Sequence, residues 1–274
     1  MSNIKKWIAV PAMFAVFVLA VGFTACKTSE QKKAYQVLGD IGKKIEAEMN
    51  KLDGDLKLAA QNLSGIDISG EESRSILRGL VKDRPYVADS CTIDRYGKII
   101  VLEPENYREF EGSDISSQEQ VIRLFQTQKP VLSGNFKSVE GFEAADFEYP
   151  VFSADKKITG SVSVMLKPEI LLGSIVAGTS MDKMLSIMVM QPDGRIIYEA
   201  DLSQIGRNTF TDPLYEPFPA LLDLARKISV KSSGSGSYFF LDTKSNKNIN
   251  KEALWDTFSF HGTEWRIVLI MAAS

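Results

Sequence analysis

QKKAYQVLGDIGKKIEAEMNKLDGDLKLAAQNLS, residues Gln31 to Ser64, is the stretch on which the reading of the fold turns. Leu38, Ile45, Leu52 and Ala59 recur at heptad spacing, and Ile41, Met49, Leu56 and Leu63 supply a second seam beside them. Charged and amide side chains take the other faces, which predicts one amphipathic helix. At 1.5 Å per residue it runs about 50 Å, more than one small module covers. Asp53-Gly54-Asp55 weakens the middle by about 1 kcal/mol for the glycine, yet the apolar spacing crosses it in phase. Leu63-Ser64-Gly65 is the expected stop, with the glycine placed for a left-handed cap. Such a helix serves as a spine for whatever follows. A free coiled-coil dimer is the other use of the same seam.

Working outward, the 274 residues fit one large or two small domains, with 44% hydrophobic and 24% charged residues giving an ordinary globular balance. The net charge is −3; of 32 basic residues, Lys5 and Lys6 lie in the first 25, leaving 30 against 35 acidic ones. No Lys/Arg cluster offers a footprint for nucleic acid. Two cysteines and one histidine give no zinc-type spacing, so neither metal nor cofactor is expected.

Upstream of the spine, Lys5 and Lys6 precede the apolar run Trp7 to Val21, and Gly22-Phe23-Thr24-Ala25 leads to Cys26. This predicts a signal peptide over residues 1–25. Its end resembles the lipobox of prokaryotic lipoproteins, with Phe23 where Leu or Val is usual, and the resemblance implies lipidation of Cys26. An uncleaved signal anchor is the competing reading, with Pro11 inside a run near the lower limit for spanning. Either way the body faces the periplasm or cell exterior. With Cys26 lipidated, Cys91 has no disulfide partner and reads as a small buried residue.

Downstream, Glu71 to Lys82 has helical spacing and ends at Asp83-Arg84-Pro85. Val87 to Ile93 and Lys98 to Leu102 form a hairpin around Gly97. A polar stretch, a helix over Gln118 to Thr127 and strands at Val131 to Phe136, Ala144 to Phe152 and Gly160 to Leu166 follow, then a helix through Ile170 to Ile175. The pattern then recurs: Gly97-Lys98-Ile99-Ile100 and Gly194-Arg195-Ile196-Ile197 lie 97 residues apart, each at the head of a hairpin. A helix at Glu216 to Ile228 and strands at Gly236 to Leu241, Trp255 to Phe260 and Trp265 to Met271 complete the second copy. The order predicts an α+β (mixed α/β) chain with two mostly antiparallel sheets flanked by helices.

Helix, module, module resembles the double Cache family of prokaryotic extracytoplasmic sensor domains, each module PAS-like. The matching pieces include Gly112-x-Asp114-Ile115-Ser116, Lys129-Pro130-Val131-Leu132-Ser133, Tyr149-Pro150-Val151-Phe152, Asp193-Gly194-Arg195-Ile196-Ile197-Tyr198 and Gly262-Thr263-Glu264-Trp265-Arg266. The resemblance implies a lipid-anchored spine over 26–64, a membrane-distal module over 65–178 and a membrane-proximal one over 179–274. Amino-acid-sensing members resemble one another in an Arg-x-Trp-Tyr stretch. Here that segment is Ser116-Ser117-Gln118-Glu119-Gln120-Val121, without its carboxylate clamp. The expected ligand is therefore a small uncharged polar or cationic solute rather than an amino acid. Ser274 closely follows the last strand, so signalling is expected through a separate membrane kinase, chemoreceptor or transporter.

The resemblance places the ligand between the first sheet and the segment Glu103 to Pro130 crossing it. Alternation puts Asp146 and Glu148 on one face of their strand, for which a merely solvated face is the alternative. Ser133 and Phe136 on the neighbouring strand, with Ser116 and Gln118 from the crossing segment, are the other lining candidates. Their alternative use is turn capping and core packing. In the second module Tyr198, Asp201, Asn208, Asp212 and Tyr215 cluster near the corresponding loop, where turn structure is expected and little specific binding. Trp255 and Trp265 are expected as an aromatic pair. His261 has neither a second histidine nor a nearby nucleophile motif, and no nucleophile–base pair stands out elsewhere. A binding protein is thus favoured over an enzyme on a PAS-like scaffold, as a sensor or as a solute-capture lipoprotein feeding a transporter.

Overall fold

The computed structural model describes residues 14–138, 141–242 and 247–272, with side chains from residue 29 onward except at 240–248 and 272. The start of the expected signal segment, residues 1–13, lies outside them. The spine is α1, Phe14–Leu63. Its seam residues Leu38, Ile41, Ile45, Met49, Leu52, Leu56 and Leu63 are all buried, each leucine or isoleucine contributing about 1.5–3 kcal/mol by leaving water. No helix among the described residues is long and apolar enough to cross a membrane.

Gly54 does not break α1, because its neighbours are anchors. Asp55 pairs with Arg84. Asp53 Oδ1 accepts the Tyr149 hydroxyl at 2.6 Å and lies 2.6 Å from His261 Nε2. The helix ends without the expected left-handed glycine, since Gly65 is not among the positive-φ residues. Instead Ser64 Oγ donates to the Phe152 carbonyl at 2.5 Å, tying the last turn to the sheet beside it.

After α2, Glu71–Val81, the first sheet has the order β2-β1-β6-β5-β3, with β4 also on β5. Its strands are β1 Val87–Asp94, β2 Ile99–Glu103, β3 Val131–Leu132, β4 Phe136–Lys137, β5 Glu143–Phe152 and β6 Ile158–Leu166. The helix α3, Glu119–Thr127, lies between β2 and β3 in sequence, and α4, Pro168–Ala177, leads to the second sheet. That sheet has the order β8-β7-β11-β10-β9. It comprises β7 Leu185–Met190, β8 Ile196–Tyr198, β9 Gly234–Asp242, β10 Lys247–Phe260 and β11 Thr263–Ala272, with α5, Pro219–Val230, before β9. Every strand pairing among the described residues of both sheets is antiparallel. One hydrophobic cluster contains the α1 seam, Phe147 and Val164 of the first sheet, and Val189, Leu254 and Trp265 of the second.

The internal repeat is carried by backbone bonds. In the first half Ile99 N donates to Ser113 O, Gly112 N to Ile99 O and Ile115 N to Gly97 O, at 3.0, 2.8 and 2.8 Å. In the second Ile196 N donates to Arg207 O, Gly206 N to Ile196 O and Thr209 N to Gly194 O, at 2.9, 2.8 and 2.9 Å. Gly97 and Gly194 both sit at positive φ, 83° and 93°, the left-handed region where glycine has no Cβ to clash. A Cβ on Gly97 would lie 2.5 Å from Ser116 Cα, and one on Gly194 would lie 2.5 Å from the Phe210 ring.

Two expected features are corrected. The strand expected over Val131 to Phe136 is broken between β3 and β4, where Asn135 N turns aside to donate to Gln191 Oε1 of the second half. Trp255 and Trp265 are not a pair. Trp255 faces Val268 across β10–β11, whereas Trp265 faces Phe258, so the two indoles lie on opposite faces of the sheet. Trp265 joins the spine cluster and Trp255 the separate cluster with α5.

Candidate functional site

The register of the first sheet builds an acidic face away from the spine. Glu148, Ser163 and Cys91 stand in one row across β5, β6 and β1; Asp146, Met165 and Asp89 stand in the next. Pleating sends Phe147 and Tyr149 to the opposite face, where Phe147 packs on the spine cluster and Tyr149 reaches Asp53. The acidic face is covered. Tyr107, Phe110 and Ile115 of the crossing segment pack against Cys91, Ile93 and Leu102, and Gln120 of α3 reaches Asp146.

Under this cover Asp146 is 5% exposed and Glu148 0%, so the solvated alternative does not hold. Asp146 Oδ1 accepts the Ser163 hydroxyl, and its Oδ2 lies 3.4 Å from Gln120 Nε2. Glu148 Oε1 accepts the Ser161 hydroxyl, whereas its Oε2 is buried without a partner. Burial raises the pKa of both carboxyls, and the charge of Asp146 raises that of Glu148 further. The Cys91 thiol is pushed well up by burial and by the charges of Asp89, Asp146 and Glu148, which favours the neutral thiol. A buried acid with an open oxygen suits a ligand group that donates hydrogen bonds or carries positive charge. No group of three or more His, Cys, Asp or Glu able to hold a metal occurs among the described residues.

The structure sorts the expected lining residues. Gln118 precedes α3, and its Oε1 accepts at 2.6 Å from Gln120 Nε2, the amide nitrogen that reaches Asp146. Ser133 is buried but serves the backbone, its Oγ accepting from Asp146 N at 2.8 Å and donating to Gly134 O at 2.7 Å. Phe136, half-buried, pairs with Ala144 on the face that carries Asp146. Ser116 is exposed in the turn against Gly97, its N–H donating to Asp114 Oδ1 at 2.9 Å. Asp89, Gln120, Ser161 and Ser163 escaped the sequence reading. Alternation along Asp89-x-Cys91-x-Ile93 and Ser161-x-Ser163 was the available signal. Arg123, the arginine of α3, supplies no clamp at this face: it donates to the Leu132 carbonyl at 2.5 Å and pairs with Glu119.

In the second half, Asp201, Asn208 and Asp212 hold turns. Their carboxyl or amide oxygens accept from Ser203 N, Phe210 N and Leu214 N at 3.1, 2.9 and 2.9 Å. The face of the second sheet toward α5 is different in kind. Met188, Met190, Val268 and Ile270 meet Leu224 and Ile228 around a cavity of ≈ 130 Å³.

Comparison with known proteins accords with this architecture. Residues 47–168 match the model of the HK/GC/chemotaxis protein-like sensor domain. The extracellular ligand binding receptor from Desulfohalobium retbaense DSM5692 is 33% identical, with a TM-score of 0.74 over 87% of this chain and 40% of that one. This chain thus spans two fifths of that receptor. The sensory domain of the Campylobacter jejuni chemoreceptor Tlp3, solved with isoleucine bound, is 14% identical, with a TM-score of 0.65 over 91% of this chain and 95% of that one. The ligand-binding domain of the Pseudomonas aeruginosa PAO1 amino acid chemoreceptor PctB, in complex with L-Arg, is 12% identical, with a TM-score of 0.61 over 88% and 94%. At such identities the last two show the fold alone. No curated protein matches the sequence. Residues 47–168 thus match an HK/GC/chemotaxis protein-like sensor domain, and the chain is homologous to part of an extracellular ligand binding receptor and shares the fold of chemoreceptor and histidine-kinase sensory domains.

Proposed function

We propose that this is a lipid-anchored extracytoplasmic sensor that takes a small polar or cationic solute at the acidic face of its first sheet. It signals through a separate membrane partner. The observation that carries the reading is Glu148, fully buried with one carboxylate oxygen unpaired beside Asp146. An uncompensated buried carboxyl costs several kcal/mol, and a donor on a ligand offsets that cost. The ligands named for Tlp3 and PctB are amino acids. Here the acidic face offers acceptors for an ammonium group but no arginine for a carboxylate, which favours amines and polyols over amino acids.

A thermal-shift screen of small amines and polyols finds the solute, and calorimetry of Asp146→Asn tests the site. Affinity should fall about ten- to a hundredfold, the loss of a charge-assisted hydrogen bond. Asp212→Asn, a turn residue, should leave it unchanged. Unchanged affinity in Asp146→Asn would remove the acidic face from the site. Anchoring at Cys26 predicts that membrane-extracted protein begins at an acylated Cys26 and that Cys26→Ser is poorly processed. An unmodified chain starting at Met1 refutes the anchor.

A further inference from the structure

The cavity of the second half lies between Met188 and Met190 of β7 and Val268 and Ile270 of β11 on one side, and Leu224 and Ile228 of α5 on the other. Its ≈ 130 Å³ approaches the roughly 150 Å³ of an engineered apolar cavity that holds benzene, room for about six heavy atoms. The wall also carries polar groups. Tyr215 donates to Gln204 Oε1 at 3.0 Å, and both line the space. Thr209 is 4% exposed, and its Oγ1 has no hydrogen-bond partner although it borders a void. Its counterpart in the first half, by the repeated bond to the hairpin glycine, is Ile115, which packs on Cys91, Ile93 and Leu102. A threonine with an idle hydroxyl therefore stands where the first half has a packed isoleucine.

Charge narrows the occupant. Glu199 and Lys251 both line the cavity, and the lysine's charge opposes the rise that burial imposes on the Glu199 carboxyl. One acid and one base thus stand on the same wall. A hydrocarbon would leave the threonine unsatisfied; an ion of either sign would meet a group of like charge on this wall.

We propose that the second sheet carries a ligand site of its own, for an uncharged short-chain molecule with a single hydroxyl or carbonyl head bonded to Thr209. The alkyl part lies among Met188, Met190, Leu224 and Ile270. This site is independent of the acidic face of the first sheet, and it reverses the expectation of little binding in the second half.

The probe is 3-methyl-1-butanol, titrated into the whole chain carrying ¹³C-labelled methionine methyls, with isovalerate and isoamylamine as its charged counterparts. The alcohol should move the Met188 and Met190 methyl resonances saturably and leave Met49, buried in the spine cluster, in place. Thr209→Val should weaken it about tenfold. Ala253→Leu, which fills the space from β10, should abolish binding; if that variant does not fold, Ala225→Leu fills it from α5. Shifts that do not saturate overturn the site, as does unchanged affinity in the filled variant. Unchanged affinity in Thr209→Val, or equal binding of a charged counterpart, overturns the head-group assignment. Asp146→Asn should leave the alcohol's affinity untouched, so this result and that of the first-sheet site are read separately.

Discussion

In the first half the crossing segment and α3 close over Asp146, Glu148, Ser161 and Ser163; in the second the corresponding loop and α5 close over Met188, Met190, Val268 and Ile270. The frames match: each hairpin glycine accepts from the residue three positions beyond a second glycine, Ile115 N to Gly97 O and Thr209 N to Gly194 O. Those bonds are made by the main chain, which asks little of the side chains pointing at the cover. A repeated frame thus leaves the chemistry beneath it free to diverge, acidic in one half and mixed apolar and polar in the other. What the halves share is the helix and its single core.

The largest expected effect tests that sharing. Leu56 lies on the stretch of α1 whose Asp53 and Ser64 bond residues of the first sheet. Leu56→Ala should cost about 2–5 kcal/mol, the range for a buried leucine. Trp255 and Trp265 both lie in the second sheet. If the halves form one core, their fluorescence midpoint in urea should fall with the circular-dichroism midpoint. A tryptophan midpoint that stays put would break the halves into separate folding units.

Much of this was legible beforehand. The spine was readable because its seam repeats along one helix, and the repeat because its glycines recur in register with the turns that need them. The tryptophan pair was misread because facing partners depend on the exact register of β10 on β11, which alternation within either strand does not reveal. The acidic pair was visible as Asp146-x-Glu148, but its burial was not, since burial depends on where α3 and Tyr107 come to rest. The cavity left no trace in the sequence, because it is volume that α5 and the second sheet fail to fill between them.

The acidic face predicts a pH signature that the second face lacks. Burial raises the Asp146 and Glu148 pKa values above the unfolded ones, so the folded state holds more protons. Their contribution to stability is full below about pH 4 and is lost as pH rises through the raised values. The slope is about 1.4 kcal/mol per pH unit for each group in its window. Glu148→Gln should flatten the decline of melting temperature with rising pH, while Thr209→Val should leave it parallel to the wild type. Parallel curves for Glu148→Gln would mean that its carboxyl titrates alike in both states.

A smaller effect compares the two frames. Gly97→Ala must displace the Ser116 backbone, whereas Gly194→Ala meets side-chain atoms, the Phe210 ring and Asn208 Oδ1. Both incur the positive-φ cost of about 1–2 kcal/mol, with Gly97→Ala the more damaging in thermal unfolding. The reverse order would show that the first crossing segment yields more readily than the second. Smallest is Asp55→Ala, which removes a partly exposed pair with Arg84 and should cost about 1 kcal/mol or less. A larger loss would make that pair a principal tie between α1 and the first half.

The most direct test is a crossed calorimetric titration. Wild type, Asp146→Asn and Ala253→Leu are each titrated with the amine or polyol that the screen returns and with 3-methyl-1-butanol. Asp146→Asn should lose the first solute about ten- to a hundredfold and keep the second, and Ala253→Leu should do the reverse. If Asp146→Asn binds the screened solute as tightly as the wild type does, the acidic face is not where this sensor meets its ligand.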